Sequence, residues 1–173
     1  MVEIGQKAPD FIASAVADGE GTVIELFAEI RRHEAAVLIF QPAAFVPTGT
    51  AEFVAVRDAK WHSHPELFVV GLTGDSLYSH AAYAEQFDLP FPLLSDFHGS
   101  VAESYDLLIE EWEGHSAVPA RATVVIDDDW ELRAVEKTEP LSERSPAPVE
   151  RATEAIQALG VDVTPATPEF GAF

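Results

Sequence analysis

The residues most able to do chemistry follow the first strongly apolar segment of the chain. The run Ala35–Phe40 is continuous, apolar and of strand length, and residues 42–52 follow it with the sequence PAAFVPTGTAE. Thr48 and Thr50 lie near the start of a predicted helix, where free backbone N–H groups favour an anion. An alkanol is a poor nucleophile without a dedicated base, and no such base is evident in the sequence. The segment by itself therefore does not indicate hydroxyl catalysis.

Sulfur chemistry is excluded by the composition. The chain of 173 residues contains no cysteine, and its one methionine is Met1. Disulfides, thiolate catalysis, iron–sulfur clusters and cysteine-ligated zinc are therefore impossible in this chain by itself.

Histidine spacing gives one weak metal candidate. His62 and His64 form a His-x-His pair, which can chelate a metal when the backbone is extended. A solvated loop before the next apolar run is the favoured interpretation, because His80, His98 and His115 are too scattered to complete a cluster. We expect neither a bound metal nor a cofactor.

The charge is strongly negative. Asp and Glu number 30 against 10 Lys and Arg, which gives a formal net charge of −20. Such a charge repels nucleic acid and anionic membranes, so neither is an expected partner. Because the acids are dispersed, the composition suits a protein from a very salty cytosol, where screening reduces self-repulsion. The longest apolar run is too short to cross a bilayer and no leader is evident, so the expected location is cytoplasmic.

Hydrophobic periodicity predicts alternating strands and helices. The predicted strands are 22–26, 35–40, 67–72, 91–95, 123–127 and 131–137, and the predicted helices are 26–32, 50–59, 76–87, 101–107 and 148–159. The last two strands form a hairpin with Asp128 and Asp129 at its turn. This order predicts an α/β domain with a central mixed sheet flanked by helices. Residues 1–160 form the domain, and 161–173, rich in Pro and Thr, form a loose tail.

Three segments together resemble the peroxiredoxin family, which has a thioredoxin-like fold. The entry segment is GQKAPDF at 5–11. The central part has GDS at 74–76 and FPLLSD at 91–96, and VPARAT at 118–123 resembles the segment that carries the active-site arginine of the family. The order and spacing of these pieces make the resemblance specific, and it extends from Val2 to Leu159.

Two of the family's four active-site positions are kept, where three of the four form the motif Pro-x-x-x-Thr-x-x-Cys and the fourth is the arginine. Alignment on Pro42 places the threonine position at Val46 and the cysteine position at Gly49. Glu52 then falls where the family commonly has a glutamate. Pro42 and Arg121 survive, whereas the residues that would touch and attack the peroxide are lost. Replacement of both indicates natural divergence rather than an engineered change.

The resemblance leaves two hypotheses for Arg121, which would have lost the negative charge of a thiolate. One is a small-anion site formed by Thr48, Gly49, Thr50 and Arg121. The other, which we favour, is that Arg121 pairs with a nearby acid such as Glu52 and holds the loop in shape.

For function, we expect a cysteine-less peroxiredoxin homologue that is inactive as a thiol peroxidase and acts as a binding, scaffold or small-anion-binding protein. Two alternatives stay open: peroxide reduction through a thiol supplied by a partner, and replaced chemistry based on a metal or a hydroxyl at the old site. The resemblance also implies a homo-oligomer, a dimer or larger, that uses the face around the active-site loop, with Phe45 and Trp112 as candidate contacts.

Overall fold

A computed structural model describes residues 2–173 of the protein. The strands are β1 (Ile12–Ala17), β2 (Glu20–Glu25), β3 (Ala35–Phe40), β4 (Leu67–Thr73), β5 (Leu93–Ser95), β6 (Leu108–Trp112), β7 (His115–Pro119), β8 (Arg121–Asp127) and β9 (Leu132–Thr138). The α-helices are α1 (Leu26–Ile30), α2 (Pro47–Asp58), α3 (Leu77–Phe87), α4 (Ser100–Ser104) and α5 (Ala147–Ala158), with a 3-10 turn at Trp61–Ser63.

Seven strands form one mixed sheet in the order β2-β1-β5-β4-β3-β8-β9. Strands β3, β4 and β5 are parallel, and β8 and β1 run antiparallel to their inner neighbours. The β8–β9 hairpin forms one edge of the sheet. The predicted α/β architecture with a central mixed sheet between helices is confirmed.

The apolar run of β3 explains why it lies at the centre. All six of its residues are buried. Ala36, Leu38 and Phe40 contribute to one hydrophobic cluster, while the alternate residues of the strand contribute to the other. Side chains alternate across a strand, so a strand covered on both faces must be apolar at every position. Helices α2 and α5 pack on one face of the sheet, and α1 and α4 pack on the other.

The C-terminal segment, for which the composition predicts a loose tail, lies against the domain. Val161, Val163 and Ala166 are buried. The Trp61 indole Nε1 donates a hydrogen bond of 2.6 Å to the carbonyl of Thr164. Residues 161–166 are therefore tied to the face that carries α2 and α5.

No helix among residues 2–173 combines the length and apolarity that crossing a bilayer requires.

Candidate functional site

The candidate site lies where β3 gives way to α2. The helix begins at Pro47, which suits its first turn because proline has no N–H to leave unpaired. Val46 occupies the N-cap position with an extended backbone and gives no side-chain cap. The loop before it is held by Asp75, whose Oδ2 accepts the Ala44 N–H at 2.6 Å. Gly49 therefore lies in an uncapped first turn of the helix.

Gly49 faces the side chain of Gln41, which fills the space beside it. A Cβ added at Gly49 would lie 2.5 Å from Gln41 Oε1 and 2.8 Å from its Cδ. Gln41 is fully buried, and its Nε2 donates to Glu52 Oε2. The position that the resemblance assigns to the reactive sulfur therefore has no side chain and no room for one while Gln41 keeps this conformation.

Arg121 and Glu52 form a buried ion pair. Arg121 Nε donates to Glu52 Oε1 at 3.0 Å, and Nη2 donates to the same oxygen at 2.5 Å. Both side chains are 0% exposed. The favoured pairing of Arg121 with Glu52 is thus what the structure contains. Gln41, Glu52 and Arg121 together are called the polar cluster below.

The remaining donors of Arg121 hold the segment between β9 and α5. Nη1 donates to the carbonyl of Glu143, and Nη2 donates to that of Ser145 at 2.6 Å. The ring of Phe170 covers the guanidinium, with its centroid 5.3 Å from Cζ. Arg121 therefore makes four hydrogen bonds to this chain's own groups and is fully buried, so an incoming anion would have to compete with Glu52.

The electrostatics of the polar cluster follow from its burial. Desolvation raises the pKa of the Glu52 carboxyl above its usual range, while the Arg121 charge and the hydrogen bonds from Arg121 and Gln41 act against that rise. Compared with apolar residues of the same size, a buried ion pair adds little to the free energy of unfolding. Removal of only one partner is strongly destabilising, because the other charge is then buried without compensation.

The threonines of the predicted anion site make contacts within the protein. Thr50 Oγ1 lies 2.8 Å from the Tyr83 hydroxyl, and Thr48 Oγ1 donates to the carbonyl of Leu141 at 3.4 Å. Burial raises the pKa of Tyr83, so this phenol stays protonated and cannot act as a base toward Thr50. The geometry gives no support to hydroxyl-based chemistry here.

His80 is a buried polar residue near this site. Its Nε2 lies 2.6 Å from the Thr73 hydroxyl, which itself accepts the Asp75 N–H at 3.0 Å. Burial lowers the pKa of His80, although the charge of Asp75 and the nearby Leu93 backbone act in the other direction. His80 is therefore neutral in the folded protein near pH 7.

We expect His80 to contribute to acid lability. Its pKa in the folded protein lies below the ordinary value of 6.5, so the unfolded chain binds more protons as the pH falls past that value. Stability should drop as the pH is lowered from about 7 toward the folded pKa. Urea titrations across this pH range should show that the free energy of unfolding falls less steeply with decreasing pH in His80→Gln than in the wild-type protein. The exposed His98, changed to Gln, is the control, and an unchanged slope in His80→Gln would contradict this assignment.

Among residues 2–173, no further metal-binding side chain is placed beside His62 and His64 to complete the candidate metal site. His64 Nδ1 accepts the Glu66 N–H at 3.2 Å. Burial and the Lys60 charge lower the pKa of His62. Within residues 2–173, no group of three or more histidine, cysteine or acidic side chains is placed to hold a metal ion.

The two candidate oligomer contacts belong to different parts of the molecule. Phe45 is exposed and packs on Tyr83 with ring centroids 4.8 Å apart, beside the cluster that contains α2. Trp112 lies on the β6–β7 hairpin and packs on the opposite hydrophobic cluster.

Two contributors to the site are absent from the sequence predictions. Gln41 carries a visible signal, a polar residue directly after a buried strand, but its rotamer and contact with Gly49 depend on tertiary structure. Phe170 lies in the segment predicted to be loose, and its sequence neighbours do not indicate that it covers Arg121.

Comparisons with known proteins agree with the fold. Residues 4–135 match the AhpC/TSA family. The chain is 33% identical over 137 residues to the chloroplastic 2-cysteine peroxiredoxin of Chattonella marina var. antiqua. The aligned part covers 74% of this chain and 67% of that protein. The fold of the present chain is similar to that of peroxidoxin BcpB from Mycobacterium tuberculosis, whose crystal structure matches with a TM-score of 0.74 and 28% identity. The match covers 92% of this chain and 97% of BcpB.

A second similar structure is Plasmodium yoelii Prx1a modified at its N-terminus, which forms an artifactual octamer. It has a TM-score of 0.69, 26% identity and coverage of 94% and 97% of the two chains. The matched span contains Pro42, Val46, Gly49 and Arg121, and no cysteine occurs anywhere in the sequence. The chain therefore belongs to the AhpC/TSA family of peroxiredoxins and lacks the cysteine on which thiol peroxidase chemistry depends.

Proposed function

We propose that this protein does not reduce peroxides by thiol chemistry and that it uses the peroxiredoxin fold as a binding or scaffold protein. The observation that carries the proposal is the packing of Gln41 against Gly49, together with the Glu52 carboxylate on Arg121. The resemblance assigns the meeting point of peroxide, nucleophile and arginine to these positions, and the closed polar cluster leaves no nucleophile there.

The chemistry supports the first half of the proposal. Cleavage of an O–O bond by a thiol peroxidase needs a thiolate, with its pKa lowered by a helix N-terminus or a nearby cation. Here the helix start and the cation remain, but Gly49 offers no nucleophile and Val46 offers no hydrogen bond. Arg121 is also fully buried beneath Phe170, so a peroxide has no direct path to the guanidinium.

The same geometry favours a protein-binding role over a small-anion role at Thr48, Gly49, Thr50 and Arg121. An anion would have to replace the Glu52 carboxylate at Arg121. It would then also have to accept the hydrogen bond that Gln41 Nε2 now donates to Glu52. Loss of one partner from a buried ion pair is costly, so a weak ligand would not drive this exchange.

Self-association is part of the proposal. Phe45 and Phe173 are exposed, and both pack on Phe87, with ring centroids 6.2 and 5.5 Å away. These aromatic rings form an apolar surface that begins at Phe45, in the loop before α2, and such a surface suits an interface between copies.

Peroxide consumption tests the proposal. The wild-type protein with hydrogen peroxide and dithiothreitol should consume peroxide no faster than the protein-free mixture, and a cysteine-containing peroxiredoxin assayed in parallel is the positive control. Turnover with dithiothreitol alone would overturn the proposal.

Two further arms separate the alternatives. Turnover abolished by a chelator would indicate metal chemistry, and turnover that appears only with an extract of the source cells would indicate a thiol supplied by a partner. The binding role predicts that the immobilised protein captures the same partner from such extracts in repeated experiments, with identification by mass spectrometry.

A further inference from the structure

A sizeable cavity in the described part of the chain lies away from the polar cluster. It has a volume of about 680 Å³ and is formed by the start of β1, the start of α3, the loop after β5, and α4. None of the residues of the polar cluster lines it. Its volume falls within the range of about 300–1,000 Å³ that is usual for small-molecule sites.

Three large apolar side chains line this cavity and are open to solvent. Ile12, Tyr78 and Phe97 line it and are 68%, 90% and 62% exposed. Scattered exposed apolar residues are ordinary, but several around one concavity mark a binding surface. The Phe97 ring also packs edge-on against His98, with centroids 5.6 Å apart. The cavity therefore has aromatic faces available to a ligand.

The charge of the lining is negative. Asp10 and Asp96 line the cavity, and no lysine or arginine is among its lining residues. Asp96 is committed to the start of α4, since its two oxygens accept the backbone N–H groups of Val101 and Ala102 at 3.0 and 2.8 Å. Asp10 is exposed and accepts the N–H groups of Phe11 and Phe27 through Oδ1. A carboxylate has acceptor capacity on both oxygens, so Asp10 can take a further donor on Oδ2.

We propose that this cavity binds a small organic cation, an amine attached to an aromatic or apolar body. The rings of Tyr78 and Phe97 suit both the apolar body and the positive charge, since aromatic faces attract cations. The Asp10 carboxylate supplies the counter-charge through a charge-assisted hydrogen bond. The net charge of −20 attracts cations to the surface and repels an anionic ligand of the same shape.

This inference goes beyond the proposed function and uses a different part of the molecule. Its failure would leave the absence of thiol peroxidase chemistry untouched, and peroxide turnover would leave the cavity as described.

Binding of 2-phenylethylamine tests the proposal by calorimetric titration of the full-length protein, at the lowest salt concentration that keeps its native circular dichroism. The matched ligands are 2-phenylethanol, which is neutral, and 3-phenylpropionate, which is anionic. We expect the amine to bind about tenfold more tightly than the alcohol, and the anion not to bind measurably. Equal affinity for the three compounds, or no binding of the amine, would overturn the proposal.

Variants locate the binding. Tyr78→Ala and Asp10→Asn should each weaken the binding of 2-phenylethylamine about fivefold or more. Asp10→Asn keeps an acceptor oxygen for the Phe11 and Phe27 N–H groups, and Tyr78 is too exposed to support the fold. Val23→Ala removes an exposed apolar side chain outside the cavity and should leave the affinity unchanged.

Light scattering tests whether a second copy of this chain, rather than an amine, occupies the surface. If Tyr78→Ala converts a wild-type dimer to a monomer while the amine fails to bind, the surface is an interface between copies and the proposal is wrong. Unchanged affinity in both cavity variants would place the amine elsewhere and would equally overturn it.

Discussion

Replacement of Arg121 with methionine is expected to lower the free energy of unfolding by about 3–5 kcal/mol. The substitution leaves the Glu52 carboxylate fully buried without its cation. It also removes the donors that hold the carbonyls of Glu143 and Ser145. Urea denaturation followed by circular dichroism measures the change, in salt that keeps the wild-type protein folded.

The control for this prediction is Arg32→Met. Arg32 is 71% exposed and lies 3.8 Å from Glu29, so its loss should cost little. The double variant Arg121→Met/Glu52→Leu should lose less stability than the two single changes added together, because it leaves no unpaired charge. A cost for Arg121→Met no larger than that of Arg32→Met would show that the buried pair is not formed in solution.

A methyl group added at Gly49 is expected to destabilise the protein by about 1–3 kcal/mol. Glycine-to-alanine changes inside helices usually stabilise, by up to about 1 kcal/mol. Here the new Cβ would meet Gln41 Oε1 at 2.5 Å. Gln41 is buried and hydrogen-bonded to Glu52, so it cannot swing into solvent to make room. Denaturant titration of Gly49→Ala shows whether the free energy of unfolding falls or rises.

The Gln41→Ala background isolates the clash. Gly49→Ala should cost much less there than in the wild-type chain, which gives a favourable coupling energy in the double-mutant cycle. Gly21→Ala is the control, because no atom lies within 4 Å of its Cβ position. A stabilising Gly49→Ala, or the same cost in both backgrounds, would mean that Gln41 does not occupy this space.

The strands and helices with a strong pattern were predictable from the sequence. Ala35–Phe40 is a strand with the predicted bounds, because a strand covered on both faces has a continuous apolar run. The hairpin of β8 and β9 turns at Asp128 and Asp129 as predicted. Helix α2 begins at Pro47 rather than Thr50, because the proline occupies the first position of the helix.

The elements that the sequence predictions omit have weak patterns. Strand β1, with the sequence IASAVA, has small residues and only partial burial. Strands β6 and β7 form a separate two-stranded sheet. Glu110 and Glu111 on β6 are exposed, so the alternation typical of a strand is missing.

The ion pair of the polar cluster was predictable from the sequence, but its packing was not. Pro42, Gly49 and Arg121 follow from the resemblance, and the pairing of Arg121 with Glu52 follows from the need of a buried cation for a partner. The packing of Gln41 beside Gly49 depends on a rotamer that no sequence pattern specifies. The salt dependence inferred from the dispersed acidic residues stays a prediction.

A crystal structure from crystals soaked in bromide tests the central claim most directly, because bromide is visible by its anomalous scattering. The closed polar cluster predicts the Gln41 amide beside Gly49, both Arg121–Glu52 hydrogen bonds intact, and no bromide peak at Arg121. A bromide ion on the Arg121 guanidinium, with Glu52 turned away and the space beside Gly49 open, would contradict it and would restore the anion-binding hypothesis.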